Sequence, residues 1–199
     1  NLVLRPEGTA GVVRNYLDKK ISDKREYYYI EQMFRYERPQ KGRYREFHQA
    51  GAEIMGYKQE TVSEVFKVIQ FSNDFLENSI PSNSNVTFDI NSIGNSEDRK
   101  KYNIDLRGYL EKNSANLSKD SIKRINTNPM RILDSKDKND LKIISDAPKI
   151  NDYISDSSKK NYKQLIKLLD GAKINYAENS NLVRGLDYYN DFTFEIFPN

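Results

Sequence analysis

Residues 34–56, FRYERPQKGRYREFHQAGAEIMG, hold the side chains best suited to chemistry: arginines at 35, 38, 43 and 45, glutamates at 37, 46 and 53, Gln49, and the only histidine, His48. A guanidinium presents a fixed fork of N–H donors to phosphate or carboxylate oxygens, while carboxylates and amide oxygens accept from ammonium groups. Such a set suits recognition of a polar, anionic ligand. It does not suit thiol or metal chemistry. The chain has no cysteine, hence no disulfide, thiolate ligand or cysteine nucleophile, and one histidine cannot build a zinc site alone. Any reaction must use carboxylates, guanidinium groups and hydroxyls.

Two strands must carry these residues. YYYIEQMFRYER is rich in aromatic and β-branched types, as is REFHQAGAEIMG after the connection PQKGRY, so the pattern predicts a hairpin with an over-long loop. Side chains alternate across a strand. Arg35 and Glu37 therefore share a side in the first strand, and Arg45, Gln49, Gly51 and Glu53 in the second, while His48, Ala50, Ala52 and Ile54 look the other way, the side expected to meet helices. Burying the charged set without partners would be strongly unfavourable. The face is thus either a solvated surface of mixed ion pairs or a ligand floor. The loop favours the floor, because Lys41, Arg43 and Arg45 around Gly42 suit a basic flap closing over polyphosphate better than a turn chosen for stability. His48 has the opposite parity and is read as a structural residue outside the site.

Around the hairpin the periodicity predicts a helix over 10–19, with Thr9 as a candidate cap, and a helix carrying Val62, Val65, Phe66, Ile69 and Phe75 on one stripe that packs on the sheet. NVTFDINSIG follows as a strand closed by Gly94. From about Arg99 to Leu169 the pattern turns helical and polar, with helices in RKKYNIDLRGYLEKN, SKDSIKRIN and SSKKNYKQLIKLLDGA. INYAEN, LVRGLDYY and FTFEIF are expected to return as strands to the same sheet. Between Arg99 and Leu168, 17 lysines and arginines face 9 acidic residues, although the whole chain is only +3, so this middle segment is basic and its flanks acidic. Either a solvated helical module or a nucleic-acid-facing one fits that surplus. Hydrophobic residues at 37% suffice for a core, and no apolar run approaches the roughly 20 residues that cross a bilayer. The first residue is not Met and no signal-peptide pattern follows it, as expected of a fragment. The whole reads as an α+β fold, an antiparallel sheet flanked by helices, with core segments 1–98 and 170–199 around a helical insert, 99–169.

The stretch FRYERPQKGRYREFHQAGAEIMG resembles motif 2 of class II aminoacyl-tRNA synthetases in the form used by the histidyl-tRNA synthetase family. LRPEGTAGVVRNYL resembles that family's substrate-amine segment, LVRGLDYYNDFTFEI its histidine-specific signature, and NTNPMRILDSKD a signature of its insertion domain. These matches follow the family's order along nearly the whole chain. The resemblance implies that the carboxylate of histidine attacks the α-phosphate of ATP, giving histidyl-adenylate and pyrophosphate, before the histidyl group passes to the terminal ribose of tRNA(His). The first step needs no general base, since the carboxylate is already ionised, but it needs positive charge at phosphorus.

The resemblance also assigns roles. Arg35 and Arg184 approach the α-phosphate from two sides and are the expected catalytic residues. Glu37 meets the adenine amino group and Arg43 the outer phosphates, so ATP is bound by Arg35, Glu37, Arg43 and Arg184. Histidine is bound by Glu7, Gly8, Thr9, Gln49, Glu53, Tyr188 and Tyr189, with Glu7, Thr9 and Gln49 on its ammonium and Glu53 and Tyr189 on its two ring nitrogens. Mg2+ is implied with ATP; no metal ligands are assigned. The insert is expected to touch the tRNA acceptor arm through phosphates. Motif 1, motif 3 and an anticodon-binding domain are not found, so the expectation is a catalytic-core fragment of a cytoplasmic or organellar enzyme. The full-length protein is expected to be a homodimer away from membranes, and this piece to turn over poorly. A non-catalytic, histidine-sensing regulatory paralogue of histidine biosynthesis is the competing reading. Such paralogues are expected to lack the ATP-loop arginines and the insert, whereas this chain has Arg35, Arg43, Arg184 and a long insert. A generic basic RNA-binding domain would explain the insert but not the charged sheet face.

Overall fold

The computed structural model describes residues 3–56, 61–81, 86–183 and 189–198. Contacts divide the chain into two compact units, Asn1–Ile69 and Gln70–Asn199.

The first unit contains α1 (Thr9–Asp18), the hairpin β1 (Arg25–Phe34) and β2 (Glu46–Met55), and the first half of α2 (Thr61–Ser79). The strands pair antiparallel from Arg25 opposite Met55 to Phe34 opposite Glu46. One further step of pairing follows, Arg35 N–H donating to the Arg45 carbonyl at 2.8 Å. Past it the loop makes its own tight turn: Gln40 and Arg43 exchange backbone hydrogen bonds at 3.2 and 2.8 Å across Lys41 and Gly42. Gly42 has φ of 78°, the left-handed region that a side chain disfavours. The over-long loop is therefore a small turn on a short stalk.

The two hairpin faces are not arranged as the alternation led us to expect. The side of His48 and Ala50 is open: both are exposed, as are Tyr28 at 81% and Ile30 at 65%, while Ala52 and Ile54 are half-buried. The start of α1 lies instead on the charged side. Two glycines permit this, since a Cβ on Gly8 would stand 2.4 Å from the Tyr29 ring and one on Gly51 2.2 Å from it. Without side chains at 8 and 51, the Tyr29 ring fills the gap between them. Helix α2 ties its first half beside β1 through Glu64 to Lys24 and Lys67 to Glu26, both 2.5 Å. Of its predicted stripe, Val62 and Ile69 are buried, Val65 and Phe66 are half-buried, and Phe75 is 44% exposed against Phe71.

In the second unit β3 (Val86–Gly94) lies between β4 (Tyr176–Glu178) and β5 (Asp191–Pro198), antiparallel to β5 and parallel to β4. Hydrogen bonding among the described residues thus makes two sheets where one was expected. A parallel neighbour requires a long crossover, and the helical insert provides it. Gly94 ends β3 at φ of 63°, and Asn95 caps the next helix, its side chain accepting from Glu97 and Asp98 N–H while Asp98 accepts from Asn95 N–H. The insert holds α3 (Ser96–Lys112), α4 (Lys119–Ile125), α5 (Lys138–Ser145) and α6 (Asp156–Ala172). Helix α5 was not foreseen in its Asn- and Asp-rich surroundings, although Asp137 caps it by accepting from Asn139 and Asp140 N–H. Tyr102, Leu106 and Leu110 on one stripe of α3 meet Ile132, Ile144 and Ile150 in a shared hydrophobic cluster that also takes in Val183. Leu182, Val183 and Tyr189 lie in no strand; the rest of LVRGLDYY is outside the described residues.

One buried charge organises this module. Asp140, with no exposed surface, accepts from Ser118 N–H at 2.7 Å and from the hydroxyls of Ser118, Ser121 and Ser135 at 2.8, 2.6 and 2.6 Å. Burial pushes its carboxyl up, but these four donors outweigh burial and hold it below the usual aspartate value.

Candidate active site

The charged face of the hairpin carries two sets of polar contacts, one around Arg35 and one around Glu53. Arg35, one residue past β1, donates through Nε to the Pro6 carbonyl at 2.8 Å and through Nη2 to Gln49 Oε1 at 3.3 Å, with its guanidinium 4.8 Å over the Phe47 ring. Among the described residues, two of its five guanidinium N–H donors have a protein acceptor. Gln49 is held at both ends, since its Nε2 donates to the Tyr29 hydroxyl at 3.2 Å. Further along the face Thr9 Oγ1 donates to Glu53 Oε1 at 2.5 Å. Thr9 is thus not the cap of α1. That part falls to Glu7, whose carboxylate oxygens accept from Ala10 N–H at 3.0 and 3.1 Å, an anion at the positive end of the helix.

At the loop end, Arg35, Glu37, Gly42, Arg43, Tyr44 and Phe47 line an open pocket of about 360 Å³. Arg43 Nη1 stands 3.8 Å from Glu37, a loose and exposed pair. Arg45 is committed to the scaffold, donating to the Glu37 carbonyl at 3.0 Å and lying over the Tyr36 ring at 5.0 Å.

The structure therefore brings Glu7, Gly8, Thr9, Arg35, Gln49 and Glu53 onto one face, with Glu37 and Arg43 beside the pocket at its end. Tyr189 lies in the second unit, packed against the hydrophobic cluster of the insert. Arg184 and Tyr188 are outside the described residues. Tyr29, Tyr44 and Phe47 were missed. Parity could have found two of them, since Tyr29 shares a side with Arg35, and Phe47 with Gln49. Among the described residues no group of three or more His, Cys, Asp or Glu side chains is arranged to hold a metal, and no helix is long and apolar enough to cross a membrane.

A family model described as tRNA synthetase class II core domain (G, H, P, S and T) matches residues 1–198, and the chain belongs to that family. Within it, the chain is 45% identical to the chloroplastic histidine–tRNA ligase of Pyropia yezoensis over 199 residues, 98% of this chain and 45% of that protein. The crystal structure of apo S. aureus histidyl-tRNA synthetase superposes with a TM-score of 0.71 at 35% identity, over 96% of this chain and 44% of that one. An ATP phosphoribosyltransferase regulatory subunit/histidyl-tRNA synthetase from Bacillus halodurans superposes at 0.62 with 19% identity, over 98% of this chain and 54% of that one, which shows the shared fold alone. The chain spans less than half the length of the curated relatives it matches.

Proposed function

We propose that this chain is the histidine- and ATP-binding part of the catalytic core of a histidine–tRNA ligase. The observation that carries the reading is Arg35, fixed by Pro6 and Gln49 on a polar sheet face, lining the pocket and sharing that face with the Thr9–Glu53 pair. In the proposed reaction an oxygen of the histidine carboxylate bonds to the α-phosphorus of ATP. The bond from that phosphorus to the bridging oxygen breaks, and pyrophosphate leaves. Arg35 stabilises the charge that spreads over the phosphoryl oxygens, as does Arg184 by its match to the family signature.

Glu37 takes the adenine amino group, and Arg43 exchanges its loose contact with Glu37 for the outer phosphates. Phe47 gives the pocket an apolar wall. Glu7, Thr9 and Gln49 supply acceptors for the ammonium, and Glu53, Tyr188 and Tyr189 recognise the imidazole; a competitor lacking ring nitrogens would leave these groups unpaired. Mg2+ arrives with ATP as part of the substrate.

Residues 99–169 form the insertion domain in this reading and meet the acceptor arm of tRNA(His). Lys159, Lys160, Lys163 and Lys167 support this: all lie on the exposed side of α6, opposite its buried Tyr162, Leu165 and Leu169. The working enzyme is a homodimer in the cytoplasm or an organelle. The test is ATP–pyrophosphate exchange by the full-length protein. Histidine-dependent exchange is expected, and binding of histidine without any exchange would favour the regulatory paralogue instead.

A further inference from the structure

Asn91 is a buried polar side chain of the second unit that has no part in the reading above. It lies on β3 opposite Thr193 and is 2% exposed. Its Nδ2 donates to the backbone carbonyls of Leu182 at 3.0 Å and Ser180 at 3.4 Å, the former 91 residues away along the chain. The segment it grips is held from several other sides. Asn179 donates from its backbone to Ile90 at 2.9 Å and from its side chain to Asp89 at 2.8 Å; Leu182 N–H donates to the Asn179 carbonyl at 2.9 Å. Lys149 of the insert reaches Asn181 Oδ1 at 3.3 Å, and Val183 is 6% exposed within the hydrophobic cluster. Joining β4 to β5 does not require so many assigned groups, because most connections tolerate variation. The residue after Val183 is Arg184.

We propose that Asn91 is a positioning residue for adenylate formation: by clamping the carbonyls of residues 180 and 182 it fixes the chain that leads into Arg184. The inference rests on the role given to Arg184 above. An amide nitrogen carries two hydrogens, one for each carbonyl, and aspartate of the same shape would turn lone pairs toward both. A guanidinium stabilising charge at phosphorus needs such support, since misplacement by about 1 Å can lower a rate about a hundredfold.

The test compares wild type, Asn91→Ala, Asn91→Asp and Asn175→Ala in the full-length protein, by histidine-dependent ATP–pyrophosphate exchange and thermal melting. Asn175 is the control, an amide bonded to the Val86 carbonyl and Thr87 Oγ1 at 3.2 and 2.9 Å near the start of β3. Both Asn91 variants are expected to lose about tenfold or more in kcat, Asn91→Asp the more, with KM for ATP within about twofold. Asn175→Ala should lower the melting temperature while keeping kcat. A kcat for the Asn91 variants within about twofold of wild type, or falling only in proportion to melting temperature as for Asn175→Ala, overturns the proposal. Should the alanine variant not fold, Asn91→Ser, which keeps one donor, takes its place under the same criteria. A wild-type protein without exchange would instead count against the functional reading. The clamp is then read by amide hydrogen exchange at Leu182, where unchanged protection in Asn91→Ala overturns it.

Discussion

Charged side chains are treated in opposite ways in the two units. In the insert, the Asp140 carboxylate is sealed from solvent by four N–H and O–H donors. Asp98, 4% exposed, is similar, accepting from Asn95 N–H and the Ser158 hydroxyl. On the hairpin, among the described residues, Glu53 has one hydroxyl donor, Arg43 a loose ion pair, and Arg35 protein acceptors for two of its five N–H groups. A satisfied buried charge has nothing left to offer a ligand, so it holds a fold together. A half-satisfied charge on an accessible face costs little while free and gains most when a complementary ligand arrives. Full satisfaction marks the scaffold; partial satisfaction marks the candidate site.

Removing a charge from each region should break the contrast most clearly. Arg35→Ala is predicted to lower kcat for exchange by about 10²–10³, or about 3–4 kcal/mol of transition-state stabilisation, with little change in melting. A full exchange rate in this variant would remove Arg35 from the chemistry. Asp140→Ala is predicted to do the reverse, destabilising the protein by about 3 kcal/mol through stranded serine and backbone donors, as read by denaturant unfolding. Unaltered stability would mean that water takes the place of the carboxylate.

Acid sharpens the same contrast. Burial raises the carboxyls of Asp98 and Asp140, but the donors from Ser155, Asn95 and Ser158 for one, and from Ser118, Ser121 and Ser135 for the other, hold both below the ordinary value. Since the folded pKa lies below the unfolded one, the stability these groups contribute is complete above about pH 4 and is lost as pH falls through the folded values. Circular dichroism below about pH 4 should therefore show a steeper acid transition in wild type than in Asp140→Asn. Parallel acid transitions would show that other carboxylates govern it.

A smaller effect is expected from Gly51→Ala, whose Cβ would stand 2.2 Å from the Tyr29 ring. Displacing that ring should destabilise by about 1–3 kcal/mol and raise KM for histidine by freeing Gln49; combining it with Tyr29→Ala should return part of the stability. Smallest of all, Arg43→Ala should raise KM for ATP about tenfold at low salt, and less at high salt because the group is exposed. An effect independent of salt would argue against a phosphate contact.

Much of the charged face was legible before folding. Strand parity put Arg35 with Glu37 in one strand, and Gln49 and Gly51 with Glu53 in the other, because the period of two in a strand admits only one alternative; the register of the pair then set the two groups on one side. The glycine that ends β3 follows likewise from local chemistry, whereas the capping box at Asn95 was not read from the sequence. Helix α5 and the true cap of α1 were not legible. A short helix in polar surroundings is stabilised by Ile144 in the core and Asp140 among its serines, not by its own propensity. Glu7 caps α1 because Thr9 is engaged by Glu53, 44 residues away.

The sequence by itself determined which residues alternate, where β3 is closed by a glycine and that the middle segment is basic, since each of these depends on neighbours within a few positions or on composition alone. Only the tertiary structure decided which face of the hairpin α1 covers, that β3 pairs parallel with β4, and that Asn91 grips the chain before Arg184. These depend on backbone approach and on hydrogen bonds between residues far apart in the chain, and no local pattern encodes the distance between such groups.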